Sequence, residues 1–154
     1  MVYSIDTSAL FDAYIRLYAP DIFPKWWALF EESVRGGLVR TTQAVFQDIA
    51  KKDDAILAWM KDHPHIVILI DDRIQMEVKN ILARYERLVD TRKNRSGADP
   101  FVIALARINN ACVITGEKPT GKIDKPNIPD VCQAMNIRCI NLLDFMRELK
   151  WRIE

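Results

Sequence analysis

The chain has no apolar run approaching the roughly 20 residues that a helix needs to span a bilayer. Nor does its amino terminus carry a basic stretch followed by an apolar segment and a small-residue cleavage site, so nothing marks it for export and a cytoplasmic location is expected, with no membrane role. Cysteine is scarce: Cys112, Cys132 and Cys139 are odd in number, far apart and without Cys-x-x-Cys spacing, which fits buried thiols in a reducing compartment better than disulfides or zinc. The only histidines, His63 and His65, share one His-Pro-His turn with no carboxylate or cysteine at ligand spacing, so a metal held by imidazole is not expected there. Excess charge is missing too. A net charge of +1 says nothing about partners until its distribution is read. Internal repeats and low-complexity segments are also absent.

What is present describes a soluble globular protein. At 154 residues, 49% hydrophobic and 28% charged, the chain fits one domain over 1–154. The stretch that organises it is Val2 to Leu10. Apolar Val2, Tyr3 and Ile5 make a short strand that stops at Asp6, and Ala9-Leu10-Phe11 begins a helix three residues later. Asp6 therefore ends a strand at the carboxyl edge, where ligands bind in open parallel sheets. It could equally cap the helix, as could Ser8.

Strands and helices then alternate. Pro20 to Pro24 opens a helix through Trp26, Trp27, Leu29, Phe30 and Val34 that ends at Gly36-Gly37, and its aromatics read as core and interface rather than a base-stacking platform. Leu38 to Thr41 is a second strand, followed by a helix with Val45, Phe46, Ile49 and Ala50 on its apolar stripe and Asp48 on the border. Ile56, Leu57, Trp59 and Met60 form a short helix. Ile66 to Ile70 has the β-branched content of a buried strand or is only an extended connection, and Asp71-Asp72 caps a helix with Ile74, Val78, Ile81, Leu82, Tyr85, Leu88 and Val89 on one face. A basic loop from Arg92 runs into Asp99 at a helix start, where an N-cap role also suffices. Ala111 to Thr115 is a strand ending at Gly116-Glu117, Lys118 to Pro129 is a loop, and Pro129-Asp130 opens a short helix. Arg138 to Ile140 and Leu142 to Leu149 make the last strand and helix. The alternation predicts an α/β sandwich around a parallel sheet.

The acids matter as a set. Asp6, Asp99 and Glu117 fall at strand ends or helix starts on one edge, with Asp48 on the helix after the second strand. Brought together they would repel, by about 4 kcal/mol for a pair 4 Å apart at an effective dielectric near 20. Such a cluster makes sense chiefly around cations, and oxygen-only donors point to Mg²⁺ or Mn²⁺. Arg92, Lys93 and Arg95 before Asp99, and Lys118 and Lys122 after Glu117, put two basic loops beside these acids, as phosphate contacts for RNA or as ordinary solvated charge.

Three segments carry a resemblance: Ile5-Asp6-Thr7-Ser8-Ala9-Leu10, Asp90-Thr91-Arg92-Lys93 with Ser96-Gly97-Ala98-Asp99-Pro100, and Lys125-Pro126-Asn127-Ile128-Pro129-Asp130-Val131-Cys132. Together with the closing Ile137 to Phe145 they resemble a bacterial and archaeal family of PIN-like proteins, from Val2 to the last helix. The resemblance implies a PIN-like three-layer α/β/α sandwich around a central parallel sheet. It also implies a Mg²⁺- or Mn²⁺-dependent endoribonuclease that hydrolyses single-stranded RNA to 5′-phosphate and 3′-hydroxyl ends, as the toxin of a toxin–antitoxin pair. Carried over, Asp6, Asp48, Asp99 and Glu117 are the four catalytic acids, with Asp6, Asp99 and Glu117 holding metal and Ser8, Thr115 and Asp130 in supporting places. The second acid is usually Glu and is Asp48 here, while the fourth is usually Asp and is Glu117 here. RNA, a cognate antitoxin protein and a second copy of the chain are the implied partners. A PIN-like module that binds RNA or protein without cutting is the alternative.

Overall fold

A computed structural model describes residues 1–89 and 97–154. Five short strands form one all-parallel sheet: β1 (Tyr3–Ile5), β2 (Val39–Thr42), β3 (Val67–Ile68), β4 (Cys112–Ile114) and β5 (Cys139–Ile140), in the order β3-β2-β1-β4-β5. Tyr3 lies opposite Val39 on one side and Cys112 on the other, so β1 is the central strand. From β1 the chain winds outward through β2 to β3, then returns to build β4 and β5 on the other flank. The loops after β1 and β4 consequently diverge. In sheets of this kind that divergence opens a crevice at the carboxyl edge.

Among the described residues eight α-helices cover the sheet: α1 (Thr7–Phe11), α2 (Pro24–Arg35), α3 (Gln43–Lys52), α4 (Asp54–Asp62), α5 (Asp72–Arg84), α6 (Asp99–Ile108), α7 (Ile128–Ala134) and α8 (Leu142–Glu148). The side chains of β1 show the two faces. Ser4 Oγ donates to the Val102 carbonyl of α6 at 2.9 Å, whereas Tyr3, pointing the other way, packs edge-on against Phe145 of α8. Right-handed crossovers set α5, α6 and α7 on the Ser4 face and α1 to α4 on the other, where α8 joins them. The result is a three-layer α/β/α sandwich. Trp26, Trp27 and Phe30 of α2 are buried in the second face, packed in stacked and edge-to-face pairs with one another and with Trp59, which is the core role expected of them. The three cysteines are free thiols, Cys112 and Cys132 buried and Cys139 half-buried.

Several boundaries differ from expectation, each for a local reason. The strand expected over Ile66 to Ile70 shrinks to Val67–Ile68. Pro64 starts a 3₁₀ turn that takes Ile66, and β3 is an edge strand whose ladder partners among the described residues are Thr41 and Thr42, after which β2 becomes α3. Leu69 is left 70% exposed and the Ile70 amide turns to Gln43 Oε1. Ala50, expected on the apolar stripe of α3, is exposed. The first helix widens at Asp12 into a π-helical stretch, Asp12–Leu17, closed by the Tyr18 amide on the Ala13 carbonyl at 3.0 Å. Among the described residues no helix is long and apolar enough to cross a membrane.

Candidate functional site

Asp6 follows the last residue of β1 and is the N-cap of α1, its Oδ1 accepting the Ala9 amide at 2.8 Å. The cap is only part of its role. Ser8 Oγ lies 2.9 Å from both carboxylate oxygens, and Thr115 Oγ1, at the end of β4, donates to Oδ2 at 2.7 Å. A carboxylate has about four lone-pair sites, and these three donors leave about one for an outside group. The side chain is nearly inaccessible, at 2% exposure. Burial pushes its carboxyl up to about 7 and Glu117 adds to the rise, against the pull of the Thr115, Ala9 and Ser8 hydrogen bonds.

The two hydroxyls also pin the turn after β4. The Gly116 amide donates to Ser8 Oγ at 2.9 Å and the Glu117 amide to Thr115 Oγ1 at 3.0 Å, so the group that orients Asp6 also places Glu117. Glu117 Oε2 accepts the first amide of α7, from Ile128, at 3.4 Å. A Cβ at Gly116 would meet Asp12 Oδ2, so a larger residue there would displace the Asp12 side chain.

The other predicted acids take different places. Asp99 is the first residue of α6 and 9% exposed. Its N-cap is Ala98, so Asp99 stands inside the first turn of α6 rather than at the cap position. Val102, one turn along, holds Ser4, two residues before Asp6, and α6 runs antiparallel to the strands. Asp99 therefore lies at the same carboxyl edge. Asp48 is half-buried, linked through Thr7, whose Oγ1 donates to Asp48 Oδ2 at 2.9 Å, and paired with Lys52 at 3.2 Å.

Asp130 sits elsewhere. It accepts the Asn127, Thr120 and Gly121 amides at 2.8 to 2.9 Å, completing a capping box for α7 and folding the preceding loop onto it. Burial works against its charge, but these hydrogen bonds prevail and hold its carboxyl below the usual range. Its support is for the loop that leaves Glu117. Lys118 and Lys122 are exposed on that loop; Arg92, Lys93 and Arg95 lie outside the described residues.

Sequence reasoning missed Thr7 and Asp12. Thr7 looked like a plain helix-start residue. Asp12 could have been found from its spacing, since it lies one turn beyond Ser8 on the same face of the first helix.

Among the described residues no group of three or more Asp, Glu, His or Cys side chains is arranged to hold a metal ion. The donors nonetheless suit a hard cation. Mg²⁺ is commonly held by one or two carboxylates, with water and substrate phosphate supplying the rest. Asp6 and Glu117 are two carboxylates that could serve as such a pair.

Fold and site together define an all-parallel α/β sandwich with a buried, hydroxyl-ringed acid at the point where its loops diverge. The chain belongs to a family described as a domain of unknown function, DUF4411, whose match spans residues 3–153. No curated protein matches it.

Proposed function

We propose that the chain is a Mg²⁺- or Mn²⁺-dependent endoribonuclease of the PIN-like type, acting on single-stranded RNA as the toxin of a toxin–antitoxin pair. The observation that carries this reading is Asp6: a buried acid at the carboxyl edge between β1 and β4, gripped by Ser8 and Thr115, with a second acid, Glu117, beside it. Together with the motif resemblance of Asp6-Thr7-Ser8 and Ser96 to Pro100, it favours cation-assisted phosphodiester hydrolysis.

Asp6 and Glu117 would hold the cation, with Asp99 joining from the start of α6 and Asp48 orienting through Thr7. A divalent cation, when bound, lowers the pKa of the attacking water and offsets the charge gathering on the phosphate. The chain's own residues prepare the place. Ser8 and Thr115 donate to Asp6 and so favour its ionised form and fix its rotamer, while Thr115 holds the Glu117 backbone in register with it. No side chain need form a bond to the RNA, because water is the nucleophile. Cleavage leaves 5′-phosphate and 3′-hydroxyl ends. A small protein antitoxin and a homodimer complete the reading.

Purified protein with Mn²⁺ or Mg²⁺ should cut single-stranded RNA to those ends. Asp6→Asn and Asp99→Asn should each lower the rate by a hundredfold or more with unchanged circular dichroism. Undiminished cutting by Asp99→Asn, or by wild type in excess chelator, overturns the reading. Stoichiometric Mn²⁺ binding without cleavage of any RNA would favour the non-catalytic module.

A further inference from the structure

The acids placed around Asp6 gather negative charge, and an RNA strand brings more, so cations must stand close by. Two do, in matching positions. Asp12 Oδ2 lies close against Gly116, so that a Cβ there would meet it, and this places Asp12 beside the turn after β4. Its other oxygen takes Arg16 Nη1 at 2.5 Å. Asp48 is held by Thr7 Oγ1, next to Asp6, and the same oxygen takes Lys52 Nζ at 3.2 Å.

A pair spaced i,i+4 is ordinary helix-surface chemistry. These two differ because Asp48 also accepts from Thr7, next to Asp6, and Asp12 packs against Gly116, so each acid brings its cation into the Asp6 neighbourhood. The Arg16 and Lys52 side chains are 66% and 43% exposed. Each keeps N–H donors beyond the one its acid uses, since guanidinium carries five and ammonium three. Arg16 stands on the β4 side of Asp6 and Lys52 on the β2 side.

Resting on the nuclease reading, we propose that Arg16 and Lys52 are substrate-positioning residues that bind phosphates of the RNA strand on either side of Asp6. Asp12 and Asp48 hold them in place. The strand then crosses the carboxyl edge of the sheet from β2 to β4, drawing its scissile phosphate over Asp6.

The test uses binding of a labelled single-stranded RNA in Mn²⁺ by the full chain carrying Asp99→Asn, which leaves the strand uncut, across a range of salt concentrations. Adding Arg16→Gln or Lys52→Gln should each lower the salt slope by about 0.7, and the pair by about 1.4, with affinity falling roughly tenfold for the pair. Arg16→Lys should keep the slope. Arg35→Ala, at the far edge of the sheet, should match the reference. In the active chain the two glutamine variants should raise KM more than they lower kcat. An unchanged slope in the pair, alongside RNA cleavage by wild type, overturns this assignment and leaves the nuclease reading standing. Failure of wild type to bind or cut any single-stranded RNA overturns both.

Discussion

Thr115 Oγ1 donates to Asp6 Oδ2 at 2.7 Å, and that one hydrogen bond ties the end of β4 to the end of β1. The strands are neighbours in the sheet, but their chains part immediately afterwards, Asp6 into α1 and Thr115 into the turn that carries Glu117. The hydroxyl favours an ionised Asp6 while burial favours a neutral one. The contest leaves the carboxyl at about 7, near the middle of the physiological range.

Stability without cations should therefore depend on Asp6. Its carboxyl titrates at about 7 when folded, against an ordinary 3.8. Between those values the folded state keeps a proton that the unfolded chain has released, so stability falls as pH rises. The penalty is absent below pH 3.8 and complete above about 7, where it is on the order of 4 kcal/mol. Denaturant melts in chelator should show the gap between Asp6→Asn and wild type widening in favour of the variant over that window. Thr115→Val, which removes a donor to the carboxylate, should push the window to higher pH. A gap that stays constant with pH contradicts the assignment.

Asp130 should prove structural. Asp130→Ala removes the acceptor for the Asn127, Thr120 and Gly121 amides and should cost about 2 to 4 kcal/mol, with Asp130→Asn costing less. Because its carboxyl is held below the ordinary range, its contribution is present above that range and lost as pH falls through the depressed value. Trypsin should then cut the loosened loop after Lys122 faster in Asp130→Ala than in wild type. Equal stability and equal cutting would show that the loop does not depend on this acid.

The α/β alternation was readable because β1 and β4 are short apolar runs closed by a polar residue, as Ile5 is by Asp6 and Ile114 by Thr115. Strand order was not, since nothing local tells β1 that β4 will be its neighbour. The β3 boundary misled because β-branched content reports burial tendency, and the run Ile66 to Ile70 carries that content although Leu69 within it is exposed. At the site, Asp6 and Glu117 were readable from strand ends. The clamp of Asp12 on Gly116 needed tertiary geometry. A glycine after a strand looks like any turn until the side chain that would meet its Cβ is known.

Thermal melts of wild type and Asp6→Asn, each in chelator and in Mn²⁺, test most directly whether the acids form one cation centre. Cations that bind only the folded state should stabilise wild type by about 2.7 kcal/mol at a hundred times the dissociation constant and the variant much less, while in chelator at neutral pH or above the variant should melt higher. If Asp6→Asn melts lower than wild type in chelator, and Mn²⁺ shifts both equally, Asp6 is only a helix cap and the acids share no cation.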